Sequence, residues 1–175
     1  MAKKGIDWFV EEVMPQLADD TRVYVIAGSG VLEPDIRKSI EKHNLQNDVF
    51  LVGMAEDDML RLLYNAADIF VMPNIPIEDD MEGFGLVSLE AASCGLPVVA
   101  SELEGIKDVI KDGMNGFLVK PNDPQGFIAR INELLGDDEA RQAFGEHARQ
   151  YTLENYGWGK MAGEYARLFE EFTSS

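Results

Sequence analysis

Two glutamates separated by seven residues enclose a glycine turn in the segment 82–90, EGFGLVSLE. Gly83 and Gly85 leave backbone amides uncovered where a helix is predicted to begin, and such amides bind phosphate with the help of the helix dipole. Glu82 belongs to the loop and Glu90 lies about a turn and a half inside the helix. Because carboxylates accept hydrogen bonds from sugar hydroxyls, the segment fits a ligand that carries hydroxyls on both sides of a diphosphate.

The same residues also have a simpler interpretation. Gly83 and Gly85 could do no more than form a tight turn, and Glu82 and Glu90 could be surface acids. The physics of this segment alone leaves both interpretations open.

The elements around this segment alternate between helix and strand. The apolar runs 22–27, 49–52, 69–72 and 98–100 are unbroken, as in strands buried on both faces of a parallel sheet. Helices are predicted at 6–17, 34–43, 57–65 and about 85–94, and then, in a helical tail, at about 123–135, 137–150 and 158–172. The pattern predicts an α/β, doubly wound, Rossmann-like domain. Ligands of such sheets bind beyond the carboxyl ends of the strands.

The first predicted helix follows Lys3-Lys4-Gly5 without a strand before it, although a sheet of this kind normally opens with one. We therefore expect a strand ahead of this helix. With no repeat or flexible linker inside the chain, residues 1–175 are predicted to form one domain.

Composition excludes several classes of function. The 175 residues carry a formal net charge of −17 at pH 7, which would repel nucleic acid. The single cysteine, Cys94, cannot form an internal disulfide, and no apolar stretch approaches the roughly 18 residues of a membrane span. With no signal peptide pattern at the start, we expect a cytoplasmic location.

Other conspicuous residues favour structural roles. Gly28-Ser29-Gly30 lacks the third glycine of a dinucleotide fingerprint. His43 and His147 have no partner at metal or triad spacing. Cys94 lies at the end of an apolar helix, which favours a buried, inert thiol over a nucleophile. The acidic pair 79–80 fits a solvated loop better than a magnesium site. No metal and no cofactor are therefore expected.

The segment 82–101, EGFGLVSLEAASCGLPVVAS, resembles the Glu-x7-Glu signature of the large retaining GT-B glycosyltransferase family, the glycosyl transferases group 1. The resemblance extends to Lys4-Gly5, to AGSG at 27–30 and to the segment from Leu51 to Asn74, and it ends at NYGWGKMAGEYARLFEE. It covers nearly all residues from 3 to 172. The insertion IPIEDDM before Glu82 is similar to that of phosphatidylinositol mannoside mannosyltransferases, which use GDP-mannose.

The resemblance implies that the chain is the C-terminal, donor-binding half of a GT-B fold. Glu82 would contact the transferred sugar, Glu90 the ribose, and Lys4 with the amides near Gly85 the diphosphate. The implied catalytic residues are Lys4 and Glu82, and the implied donor-binding residues are Gly28, Ser29, Met54, Gly83, Phe84, Gly85, Leu86, Val87 and Glu90. The chain departs from the family in two places: the expected phosphate-binding Arg would precede it, and Glu104 replaces a common Gly.

The implied activity is transfer of a hexose from GDP-mannose or UDP-glucose to an acceptor hydroxyl with retention of configuration. The nucleotide-sugar is a substrate, and the nucleotide and sugar stay open. The partner is an N-terminal acceptor domain of the same protein, onto which helix 158–172 would cross and through which a membrane lipid or a glycan would bind. Without it the chain is expected to be inactive, and a parent at the inner face of a membrane fits the lipid acceptor. The alternatives are a nucleotide-binding or regulatory module without turnover and a GT-B nucleotide-sugar epimerase.

Overall fold

A computed structural model describes residues 4–19, 21–76 and 85–173 of the chain. The described helices are α1 (Ile6–Glu12), α2 (Met14–Leu17), α3 (Glu33–Lys42), α4 (Asp57–Ala66), α5 (Leu86–Ser93), α6 (Glu104–Val109), α7 (Pro124–Leu135), α8 (Asp138–Tyr156) and α9 (Trp158–Thr173). The strands are β1 (Tyr24–Ala27), β2 (Val49–Gly53), β3 (Phe70–Met72), β4 (Val98–Ser101) and β5 (Phe117–Val119). Within the described residues, no helix combines the length and the apolar character that a membrane crossing requires.

The strands pair in parallel, as predicted, but in two separate sheets. β1 pairs with β2, and β4 lies between β3 and β5. Both faces of the larger sheet are covered: Val99 belongs to an apolar cluster with α1 and α7, whereas Val98 and Ala100 belong to a second cluster with α5 and α6. Alternate side chains of β4 therefore enter two cores, which confirms the doubly wound α/β arrangement. The smaller sheet differs: Val25 and Phe50 are 39% and 44% exposed, so the prediction that β1 and β2 are buried on both faces is wrong.

Three details differ from the sequence prediction. The helix expected over 6–17 is interrupted at Val13, where α1 ends and α2 begins with a proline in its first turn; proline has no N–H to continue the α1 ladder. The structure also contains the strand β5 and the short helix α6, which the sequence pattern did not predict. The helix expected over 137–150 continues to Tyr156, with Thr152 buried on its inner side.

A cleft separates the two sheets. β1 and β3 each have a strand partner on one side, and residues 24–27 of β1 and 70–72 of β3 line the same cavity. The walls include the apolar side chains of Tyr24, Ile26 and Leu63. Since protein interiors are close-packed and unpaired strand edges accept further strands, this cleft could accept one more parallel strand, such as the one that the sequence pattern predicts.

We predict that a parallel strand supplied ahead of Lys4 will stabilise the domain by pairing with both edges of the cleft. The test is to fuse about six residues rich in Val, Ile and Thr, the length of an ordinary strand, to the start of the chain. Amide hydrogen exchange should slow in β1 and β3, and the urea midpoint of unfolding should rise.

The matched control carries the same fusion with two prolines, which remove ladder donors. Equal protection of β1 and β3 by both fusions, or protection by neither, would contradict strand pairing in the cleft.

Candidate functional site

The loops after β1 and β2 are joined by a backbone hydrogen bond at the carboxyl ends of these strands. The Gly28 amide donates to the Gly53 carbonyl at 2.7 Å. Both glycines have positive φ, 131° and 71°, which other residues adopt only at a cost. Ser29 and Met54 follow directly. The Met54 side chain is 78% exposed. A flexible apolar side chain therefore lies at the carboxyl end of this sheet.

The N-terminus of α5 is built by Gly85, which has φ 62° and ψ 33° in the left-handed region. Ser88 is fully buried, and its hydroxyl donates to the Gly85 carbonyl at 2.6 Å, which fixes the turn. Gly85 has no side chain to cap the helix, while Leu86 and Val87 are exposed. Their amides are therefore positioned to donate to an anion.

Lys4 is brought to the same edge by Gly5. A Cβ atom at Gly5 would overlap the carbonyl oxygen of Pro73, the residue after β3, and Gly5 has φ 62°. Only glycine allows this close approach without displacing the backbone. The contact sets Lys4, and the start of α1, beside the carboxyl end of β3.

Six of the predicted site residues line one cavity of about 910 Å³. They come from four separate parts of the chain: Lys4, Gly28, Ser29, Met54, Val87 and Glu90. The inner part of the cavity is the apolar cleft between β1 and β3, and the predicted residues come from the loops after the strands, from α5 and from the start of α1. Gly85 and Leu86 are outside the lining: Gly85 is buried beneath the turn, and the side chain of Leu86 points to solvent.

Glu82, Gly83 and Phe84 lie outside the described residues. Their predicted roles, sugar contact for Glu82 and donor binding for the other two, stay predictions. The same holds for the acidic pair 79–80. Of the described residues, no three His, Cys, Asp or Glu side chains are grouped as metal ligands.

Two residues of the site were not singled out by sequence. The Tyr64 hydroxyl donates to the Glu90 carboxylate at 3.1 Å and lines the cavity. Asn74 follows β3 and is 1% exposed, and within the described part of the chain neither polar atom of its side chain has a hydrogen-bond partner. Sequence offered one signal for both, namely their position in the segment 51–74.

The charge on the cavity wall is unevenly distributed. Among the described lining residues, the cationic side chains are Lys4 and Arg22. The Arg22 guanidinium lies 3.1 Å from Asp19 and donates to Asn132 at 2.7 Å. Arg22 precedes β1 and so belongs to the opposite edge from Lys4. Lys4 and the α5 N-terminus are therefore the positive groups near the mouth of the cavity, in a protein that is otherwise strongly acidic.

Comparison with known proteins identifies the family. A model of the family described as glycosyl transferases group 1 matches residues 2–151, most of the chain. The chain belongs to this family. The α/β fold predicted from the sequence, the C-terminal half of a GT-B fold followed by a helical tail, is thereby confirmed together with the structural similarities below.

Group 1 relatives match the chain over nearly its whole length. It is 29% identical to an uncharacterized glycosyltransferase of Methanocaldococcus jannaschii, over 96% of this chain and 42% of the relative. It is 30% identical to the GDP-mannose-dependent alpha-(1-6)-phosphatidylinositol monomannoside mannosyltransferase of Mycolicibacterium smegmatis, over 95% of this chain and 44% of the relative. The chain thus spans less than half of the length of these two curated relatives.

A solved structure of S. aureus TarM, a mutant in complex with fondaparinux, alpha-GlcNAc-glycerol and UDP, superimposes with a TM-score of 0.82. Sequence identity is 28%, and the match covers 95% of this chain and 33% of the TarM chain. Over 95% of its length, this chain therefore has the same fold as one third of the TarM chain.

The position of α5 depends on its contact with α8. A Cβ atom at Gly145 of α8 would overlap the carbonyl oxygen of Gly95, just after α5. We predict that Gly145→Ala destabilises the domain by about 1–3 kcal/mol, the usual cost of overpacking, as measured by urea unfolding. The control is Gly163→Ala in α9, where an added Cβ meets nothing within 4 Å; there alanine should be neutral or stabilising. Equal losses in the two variants would contradict close α5–α8 contact.

Proposed function

We propose that this domain binds the donor of a retaining glycosyltransferase, a nucleoside-diphosphate hexose. One observation carries the proposal: in a group 1 glycosyltransferase chain, Lys4, Glu90 and the loops after β1 and β2 share one cavity. Ligands of open α/β sheets bind at the carboxyl ends of the strands, where those loops lie.

Each part of the donor has a proposed partner. The diphosphate lies between Lys4 and the amides at the start of α5. The ribose binds the Glu90 carboxylate, the base lies beside Met54, and the transferred sugar contacts Glu82, whose role rests on the resemblance alone. This order needs an extended ligand, because Glu90 is about 6 Å along the α5 axis from Leu86. The ribose and the diphosphate would then bind at separate positions along α5.

In the proposed reaction, the bond from the anomeric carbon to the diphosphate breaks and a bond to an acceptor hydroxyl forms with the same configuration. Negative charge develops on the departing phosphate. Preorganised donors and cations lower the barrier of such a step most where water is excluded. Lys4 and the α5 amides are the groups of this domain that supply that stabilisation, and the step as proposed requires no metal or cofactor.

Two nucleotides are supported by the relatives. The Mycolicibacterium relative is named as GDP-mannose-dependent, and the TarM structure contains UDP. The insertion before Glu82 resembles that of the mannosyltransferases, which favours GDP-mannose; UDP-glucose is the second candidate.

The acceptor side is proposed to lie on another domain of the same protein. α9 supports this proposal because its side chains Trp158, Phe169 and Phe172 are 91%, 69% and 81% exposed. A helix with an apolar face needs a surface to cover it. A lipid or glycan acceptor would bind through that domain.

We predict that UDP or GDP binds this domain at millimolar concentration and that Lys4→Gln weakens binding about tenfold, as expected for the loss of one charge-assisted contact to phosphate. Titration followed by NMR measures the affinity. Lys38→Gln is the control, because Lys38 is paired with Asp35 on α3 and does not line the cavity. If neither nucleotide bound the folded domain, or if both variants lost affinity equally, the diphosphate site would have to lie elsewhere.

The two glutamates of the signature are predicted to fail differently. Glu90→Gln should weaken nucleoside diphosphate and nucleotide-sugar alike, by about 1–2 kcal/mol, because one ribose acceptor becomes an amide. Glu82→Gln should leave the nucleoside diphosphate almost unaffected and weaken only the nucleotide-sugar. Calorimetry on both variants with both ligands gives four affinities, and Glu146→Gln on the exposed face of α8 controls for the lost charge. Equal losses for both ligands in Glu82→Gln would exclude a sugar contact for that carboxylate.

A further inference from the structure

Tyr64 connects the helix after β2 to the helix that carries Glu90. It lies on α4, and its hydroxyl donates to Oε2 of Glu90 on α5 at 3.1 Å. Among the described residues, the Tyr64 hydroxyl is the hydrogen-bond partner of the Glu90 carboxylate. The contact is long-range in sequence, since 26 residues separate the two positions.

The ring of Tyr64 is itself held in place. It packs edge-on against Phe70 of β3, with centroids 5.9 Å apart and an interplanar angle of 64°. Such aromatic pairs have a preferred geometry, so the sheet determines where the hydroxyl lies. Burial, and then the negative charge of Glu90, raise the pKa of Tyr64 above its ordinary value. The hydroxyl therefore stays protonated at neutral pH and acts as a donor.

The Glu90 side chain is exposed, and an exposed glutamate samples several rotamers. Fixing such a side chain at the moment of binding costs conformational entropy. A hydrogen bond from an anchored phenol selects the rotamers beforehand, which is the general advantage of preorganisation. The carboxylate has about four lone-pair sites. Tyr64 occupies one on Oε2, which leaves acceptors on both oxygens for two neighbouring hydroxyls.

We propose that Tyr64 is a positioning residue that orients Glu90 to accept from both hydroxyls of a vicinal cis-diol, so that the site distinguishes ribose from deoxyribose. The inference rests on the proposed function, because it takes the ribose of a nucleoside diphosphate as the diol. It adds a residue on another helix, acting through Glu90, as a determinant of selectivity.

The test compares UDP with 2′-deoxy-UDP, titrated into the full chain and into Tyr64→Phe, which keeps the ring and removes the hydroxyl. The measured quantity is the ratio of the two dissociation constants. We expect Tyr64→Phe to reduce the preference for ribose about three- to tenfold, a loss of about 0.7–1.4 kcal/mol in discrimination. The affinity for 2′-deoxy-UDP should change less than twofold. Tyr165→Phe on α9, an exposed tyrosine outside the cavity, is the matched control and should leave the ratio unchanged.

A second variant, Phe70→Leu, keeps the hydroxyl and the carboxylate but removes the ring that holds Tyr64. It should also reduce the ratio, by less than Tyr64→Phe, with circular dichroism confirming the fold. A ratio that stays constant in both variants, or equal weakening of both nucleotides, overturns the positioning role and leaves Tyr64 as a packing residue.

Glu90→Gln separates this failure from that of the proposed function. If Glu90→Gln abolishes the preference for ribose while Tyr64→Phe does not, only the role of Tyr64 is wrong. If Glu90→Gln also leaves the preference intact, the assignment of Glu90 to the ribose is wrong, and the inference about Tyr64 is overturned with it.

Discussion

The domain depends on one cluster of aromatic rings that connects the elements of its two sheets. Phe9 of α1 is 1% exposed, and its ring packs against Tyr24 of β1 and Phe127 of α7, with centroid distances of 5.0 Å and 5.8 Å. Trp8 meets Phe127 from the neighbouring position. β1 and β3 are not hydrogen-bonded to each other, so burial of these large rings, each of which covers a large apolar area, contributes much of the contact between the halves.

This arrangement also brings the site residues together. The helix that carries Phe9 begins at Gly5, which is pressed against Pro73 at the end of β3. The short helix α1 therefore links the core contact of Phe9 to the position of Lys4, which directly precedes Gly5. In the same way α5 is held by α8 at its C-terminal end and presents Val87 and Glu90 to the cavity. Packing contacts outside the cavity therefore determine which charged groups lie at its opening.

An acidic protein can still offer a site for an anion because its field is not uniform. Many surface carboxylates are paired locally: Glu11 with Lys42 and His43, Glu33 with Arg37, and Asp68 with Arg141. The Lys42 hydrogen bond is the main reason that the pKa of Glu11 falls to about 2. Such pairs add nothing to the net charge, and salt screens the interaction of exposed charges that lie more than about 8–10 Å apart. The net charge of −17 is distributed over the whole surface, so it does not by itself exclude the anion site proposed beside Lys4 and the α5 N-terminus.

The sequence by itself determined the order of the elements, because unbroken apolar runs such as 98–100 and helical spacing such as 34–43 are local patterns. It also determined the family, since the segment 82–101 is a contiguous motif. The partition of the strands into two sheets, the aromatic contact of Phe9 and the hydrogen bond from Tyr64 to Glu90 were decided only by tertiary structure. Each joins residues far apart in the chain, and no local pattern encodes which distant side chain a ring or a carboxylate will meet. The break at Val13 is the intermediate case: Pro15 is visible in the sequence, but a proline in a first turn is compatible with a helix, so the sequence alone did not show that α1 ends before it.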